Sequence, residues 1–134
     1  MCRIGDIILV EEFIGTDGST VSRHPFIVID DNGGEIQGMP FDFVGSMTSS
    51  FEGKEEEYKE RKLSHEENLE ITVNDGVKKD GYVKADQIHY FKKDSVQYRV
   101  VGQVTVELFN ALMGLIQYLK LSGKLIINSN NLKK

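Results

Sequence analysis

Apolar residues in this chain fall into short β-branched runs divided by turn chemistry, and only once into a helical stripe. Gly5-Asp6-Ile7-Ile8-Leu9-Val10 holds one such run, and Ser22-Arg23-His24-Pro25-Phe26-Ile27-Val28-Ile29-Asp30 holds the next. Each has the length and branching of a buried strand. The link Gly15-Thr16-Asp17-Gly18-Ser19-Thr20 is loop chemistry. The same reading predicts strands near 5–13, 24–31, 34–46, 68–73, 81–84, 87–92 and 96–102. Turn signals at Asn32-Gly33-Gly34, Asn74-Asp75-Gly76 and Lys92-Lys93-Asp94-Ser95 separate most of them. Many short strands with turns between them argue for a small barrel or a strongly coiled sheet.

Two segments read as helices. Residues 53–62 carry few apolar side chains, and Glu55–Lys59 and Glu57–Arg61 have the favourable i,i+4 order, so this helix should lie on the surface between strands. From Val106 to Leu121, Leu108, Phe109, Leu112, Leu115, Ile116 and Leu119 make a broad apolar stripe. Thr105 is a suitable N-cap and Gly123 a suitable stop, and this helix should plug or cover the sheet. One domain over 1–124 and a C-terminal tail over 125–134 follow, with Asn128–Lys134 polar and expected to be disordered.

A length of 134 residues suffices for one core without staples. No apolar run is long enough for a bilayer span, and Met1-Cys2-Arg3-Ile4 leads straight into a strand, so neither a membrane partner nor a signal peptide is expected. The lone Cys2, at an end expected to fray, has no internal disulfide partner, and a cytoplasmic location is expected. The net charge of −5 repels nucleic acid at long range, so any role on RNA requires locally gathered cations.

Three stretches carry candidate chemistry. Arg23-His24 stands at a strand mouth, with Pro25 fixing φ directly after it. A solvated loop–strand junction is the plain reading. The functional reading is phosphodiester chemistry, in which a histidine moves a proton and a guanidinium binds two phosphate oxygens. Ser46-Met47-Thr48-Ser49-Ser50 places four hydroxyls at a strand exit, either as loop composition or as donors to a phosphate. In Gly81-Tyr82-Val83-Lys84-Ala85-Asp86-Gln87-Ile88-His89-Tyr90-Phe91, a bend between strands at Asp86 is favoured. His65 and His89 lack partners at metal spacing, and no GxGxxG or P-loop occurs, so no metal and no cofactor is expected.

The order of these pieces resembles the MazF/PemK family of toxin endoribonucleases from bacterial toxin–antitoxin pairs. The resemblance spans Ile4 to Leu121. It rests on Gly5-Asp6-Ile7, the run Arg23-His24-Pro25-Phe26-Ile27-Val28-Ile29, Thr48 at a strand exit, Val83-Lys84-Ala85-Asp86-Gln87-Ile88, and Gly102 leading into the last helix. It implies a mainly β fold with helices: an SH3-like small barrel with a C-terminal helix and an inserted surface helix. It also implies a homodimer, a cognate antitoxin partner and metal-independent cleavage of single-stranded RNA. In the family an arginine directly precedes the proline; here His24 takes that place and Arg23 lies one residue earlier.

On this resemblance the 2′-hydroxyl of RNA attacks its own phosphate, leaving a cyclic phosphate and a free 5′-hydroxyl. His24 acts as acid or base, Arg23 stabilises the phosphorane and Thr48 holds a phosphate oxygen. Ser46, Ser49, Ser50, Lys54, Arg61 and Lys84 are the expected RNA-binding residues, with Lys59 and Lys62 adding positive charge. Asp30, Asp31 and Glu35 should lie at the far end of the sheet. A non-catalytic interaction module that binds a protein partner through the same barrel is the alternative, and a DNA- or antitoxin-binding regulator a third reading.

Overall fold

The computed structural model of the chain describes residues 1–133. Two long strands, β1 (Asp6–Ile14) and β2 (Thr20–Asp30), form an antiparallel hairpin with Ile7 opposite Ile27 and Val10 opposite His24. A small separate hairpin follows, made of β3 (Gly34–Ile36) and β4 (Met39–Phe41). Next, β5 (Phe43–Ser50) lies antiparallel to β2, with Phe26 opposite Met47 and Ile27 opposite Ser46. The remaining elements are α1 (Glu56–Leu63), β6 (Asn68–Ile71), β7 (Gly81–Lys84), β8 (Gln87–Phe91), β9 (Tyr98–Gln103), α2 (Val106–Leu121) and β10 (Ile126–Asn128).

The fold is mainly β with two α-helices, but its sheet is not closed into a barrel. The main order is β10-β8-β5-β2-β1-β9, which leaves β10 and β9 as separate outer strands. The sheet forks at β5 instead of closing. Phe43–Gly45 of this strand pair with β8, whereas Thr48–Ser50 pair with β7, which in turn carries β6.

Alternation along β2 explains why both faces are buried. Ile27 and Ile29 point into a core roofed by Leu108, Leu112, Ile116 and Leu119 of α2. Phe26 and Val28 point into a second core with Ile8, Val10, Phe13, Phe43, Met47 and Phe91. The second core is rich in edge-to-face aromatic pairs, such as Phe13–Phe26 at 4.9 Å between centroids. The helix α2 keeps its sequence-predicted bounds. Thr105 Oγ1 accepts from the Leu108 amide at 3.2 Å, and Gly123 ends the element at φ +70°.

Several local expectations are corrected. The single strand over 34–46 is broken into three: Gln37 and Gly38 turn the chain at φ +52° and +77°, and a bend at Asp42 separates β4 from β5. Cys2 is buried in the second core rather than frayed, because Arg3 N donates to Asp6 Oδ2 at 2.8 Å and ties the terminus down. The polar tail is likewise ordered over its described residues. β10 pairs in parallel with β8, and Ile126 N donates to the Asp86 carbonyl at the β7–β8 bend. Asn131 then spans Ile14, accepting its amide at 2.7 Å and donating to its carbonyl at 3.0 Å. The i,i+4 ion pairs expected on α1 do not form; Lys59 lies over the Phe51 ring and Arg61 over the Tyr58 ring.

Candidate functional site

A cleft of about 590 Å³ opens beside the middle of β2. Arg23 and His24, expected at a strand mouth, lie within this strand because its pairing with β1 already begins at Thr20. Its apolar floor includes Ile7, Leu9, Pro25 and Ile71. The register builds this floor: Leu9 sits opposite Pro25 on one side and opposite Arg99 on the other, so the three residues form a row across β2, β1 and β9. Thr48 lies against the same row, its Oγ1 3.4 Å from the Pro25 carbonyl oxygen. The strand β7 approaches β5 so closely that a Cβ at Gly81 would stand 1.9 Å from the Ser49 carbonyl oxygen. Gly76, another lining residue, has φ +115°, and a Cβ there would stand 2.1 Å from the Gln103 carbonyl oxygen. Glycine at both positions lets the cleft walls close on their neighbours.

The charge of the lining is one-sided. Arg23, Lys54, Lys78, Lys79 and Arg99 line the cleft, and among the described residues no Asp or Glu does. In a chain of net charge −5 this is a local reversal of sign. Two of these cations carry an ion pair: Arg23 Nη2 lies 2.9 Å from Glu11 Oε1, and Lys79 Nζ lies 2.7 Å from Glu52 Oε2. Both pairs are solvent-exposed and hold their partners weakly. Glu55, Glu56 and Glu57 do not line the cleft, and neither do Asp30, Asp31 and Glu35.

Of the residues singled out from the sequence, the fold brings Arg23, His24, Thr48, Ser49, Ser50 and Lys54 to this cleft. The two neighbours within β2 diverge. Arg23 reaches across to Glu11, while His24 packs its ring edge-on to Phe13 at 6.1 Å between centroids. His24 Nδ1 is 2.9 Å from the Ser22 carbonyl oxygen. Ser50 Oγ accepts from the Glu52 amide at 2.9 Å.

Three expected RNA-binding residues lie outside the cleft lining. Ser46 is fully buried and donates to the Lys84 carbonyl at 3.1 Å, which makes it a core hydroxyl that RNA cannot reach. Lys84 lies on β7 opposite Asn68, where its charge acts on His89 and Asp86. Arg61 sits on α1 with its guanidinium 5.3 Å from the Tyr58 centroid. Lys78, Lys79, Arg99 and Tyr58 were not foreseen. Their sequence signals are a dibasic pair beside the Gly76 turn, a basic residue next to Tyr98 in a strand, and a tyrosine four positions from both Lys54 and Lys62.

Burial shifts three groups nearby. Tyr82, beneath the cleft's hydroxyl wall, is pushed above the ordinary phenol range by burial and by the Tyr58 phenol, with Ser49 pulling the other way. Asp86 is raised by burial and then by Glu67. His89 is lowered to about 4, by burial first and by the Lys84 charge second. Among the described residues no group of three or more His, Cys, Asp or Glu side chains is placed to hold a metal ion, and no helix is long and apolar enough to cross a membrane. No protein-family model matches the chain, and no curated protein matches it.

Proposed function

We propose that the chain is a metal-independent endoribonuclease toxin of a type II toxin–antitoxin pair, of MazF/PemK type, acting in the cytoplasm on single-stranded RNA. The observation that carries this reading is the cleft lined by five cations and, among the described residues, no carboxylate. Anionic polymers are drawn to such a surface, and an apolar floor suits unpaired bases. The same reading takes the forked, curled sheet as an opened SH3-like barrel. It also takes the functional unit as a homodimer, which the cognate antitoxin binds.

The chemistry needs no group beyond the side chains and the RNA. The ribose 2′-hydroxyl attacks the adjacent phosphorus and its proton passes to a base. The P–O5′ bond breaks, and the 5′ oxygen leaves with a proton from an acid. The products are a 2′,3′-cyclic phosphate and a 5′-hydroxyl. Arg23 stabilises the charge that grows on the phosphorane oxygens. Thr48 donates its hydroxyl to one of them, in place of its long bond to Pro25. His24, within β2 beside Arg23, is the proposed proton carrier, once its ring turns from Phe13.

One pair of observations favours the alternative, a non-catalytic module that binds a protein partner: Arg23 is tied to Glu11, and His24 faces an aromatic ring. The deciding experiment incubates the purified protein with a mixed pool of single-stranded RNA in EDTA. Cleavage to fragments bearing 5′-hydroxyl and cyclic phosphate ends supports the nuclease. Strict dependence on added magnesium rejects the mechanism, and an uncut pool favours the binding module.

A further inference from the structure

The helix α1 stands where a purely structural element has little reason to be. None of its residues is buried, and its apolar content is slight. One aromatic row anchors it. Tyr82 is buried, Phe51 lies 5.4 Å from it between ring centroids, and Tyr58 of α1 lies 6.3 Å beyond Phe51. The row climbs from the core to the cleft, where Tyr58 is a lining residue beside Lys54 and Ser50.

Cations crowd the end of that row. Lys54, Arg61 and Lys62 stand 5.2, 5.3 and 5.4 Å from the Tyr58 centroid. Among the described residues none of the three has a carboxylate within ion-pair distance, although Glu55, Glu56, Glu57 and Glu60 are their sequence neighbours. Each cation gains from the ring. A ring with positive charges gathered around it matches one nucleotide well: the base stacks on the aromatic face and the phosphates on either side meet the cations. A protein segment of mixed charge would lack that repeating charge.

We propose that α1 extends the cleft as a nucleotide-binding rim, in which Tyr58 stacks one unpaired base of the RNA while Lys54, in the cleft lining, and Arg61 and Lys62, outside it, hold the flanking phosphates. This rests on the ribonuclease reading and assigns a binding site next to Arg23 and Thr48. The base displaces one of the cations from the ring, and that cation moves to a phosphate. Stacking tolerates any base, so the rim adds affinity and fixes position without choosing the sequence cut.

The test uses the full chain and short single-stranded 2′-O-methyl RNAs of random sequence, which resist cleavage, each with a central 2-aminopurine. Binding to wild type should quench the 2-aminopurine fluorescence, as stacking on an aromatic ring does. Tyr58→Leu should remove the quench and weaken binding by roughly 5- to 100-fold. Tyr58→Phe should keep both, since the ring is retained, and Lys62→Glu should weaken binding while leaving part of the quench. Thermal unfolding of each variant shows that the fold is intact. If wild type binds with a salt-dependent affinity and cuts unmodified RNA, but Tyr58→Leu binds and quenches equally well, the rim is overturned and the nuclease stands. If wild type binds none of these RNAs, the rim falls, and the nuclease reading falls with it where unmodified RNA also stays uncut.

Discussion

Around Ile14, at the tip of the β1–β2 hairpin, asparagines from the end of the chain turn their amides inward. Asn128 donates to the Ile14 carbonyl at 2.8 Å and lies 2.9 Å from His89 Nδ1, while Asn130 donates to the Gly15 carbonyl at 2.9 Å. Asn131 takes both the amide and the carbonyl of Ile14. Further along the same hairpin, around Arg23 and Pro25, polar groups are arranged in the opposite way. Lys54, Lys78 and Arg99 meet no carboxylate among the described residues, and the Thr48 hydroxyl makes only a long bond. Buried polar groups that satisfy one another specify a structure. Cations that face a cleft without a carboxylate partner remain available to a ligand. One hairpin thus carries a structural lock near its tip and an open anion site at its middle.

The largest expected effect separates the two regions most sharply. Arg23→Ala should lower RNA cleavage by roughly a hundredfold or more, the magnitude lost when one donor to a developing oxyanion is removed. Its side chain is 61% exposed and its one ion pair lies at the surface, so the melting temperature should hardly move. Paired measurements of single-turnover cleavage and thermal unfolding test this. A variant that cleaves normally would remove Arg23 from the chemistry, and one that unfolds would make it part of the lock.

His89 supplies the next contrast, because it belongs wholly to the lock. It is 1% exposed, its Nδ1 faces the Asn128 amide, and among the described residues Nε2 has no partner. Folding lowers its pKa to about 4, so the unfolded chain binds a proton that the folded chain refuses. The contribution to stability is therefore complete above the unfolded value, near 6.5, and is lost as pH falls from there to about 4. The loss should reach about 3 kcal/mol. Urea unfolding of wild type and His89→Phe at both ends of that window should show this difference. Equal pH slopes in the two proteins would place the proton elsewhere.

A smaller effect probes the clasp itself. Asn131→Ala leaves the Ile14 amide without its acceptor in a part-buried site, at a cost of about 2 kcal/mol. The melting temperature should fall, while cleavage measured well below it stays at the wild-type rate. Reduced cleavage in fully folded Asn131→Ala would mean that the lock and the cleft are coupled through the hairpin.

These two regions also differ in how far the chain's order announced them. The apolar stripe from Leu108 to Leu119, with Thr105 before it and Gly123 after it, is local information and gave the bounds of α2 correctly. The Arg23-His24-Pro25 run was legible as part of a strand but its place was not: β2 begins at Thr20, so the pair lies within the strand rather than at its mouth. The β2–β5 pairing brings Thr48 to Pro25. The clasp was not legible. Asn128-Ser129-Asn130-Asn131 is loop chemistry locally, and its partners lie far along the chain, His89 39 positions from Asn128 and Ile14 117 positions from Asn131. Ser46 was misjudged because β5 is buried on both faces, so alternation gives no sign of which hydroxyl meets solvent. The unforeseen cations Lys78, Lys79 and Arg99 reach the cleft only through the β7 and β9 pairings, which no local pattern encodes.

Glu11→Gln carries the smallest expected change and bears on the cleft alone. Among the described residues Glu11 is the one carboxylate paired with a proposed catalytic side chain, and both partners are exposed. Such a pair is worth under about 1 kcal/mol, so stability should shift by no more than that. Neutralising Glu11 frees the Arg23 guanidinium and removes a negative charge from beside the phosphate path. RNA affinity should rise by roughly twofold to fivefold at low salt, and the gain should shrink as salt screens the site. Filter binding of non-cleavable RNA across a salt series measures both quantities. A fall in affinity would show that Glu11 holds Arg23 in its binding pose, turning the ion pair from a competitor of RNA into part of its site. A fall in cleavage with affinity raised would instead assign Glu11 a share in the proton transfer, as the carboxylate nearest the guanidinium.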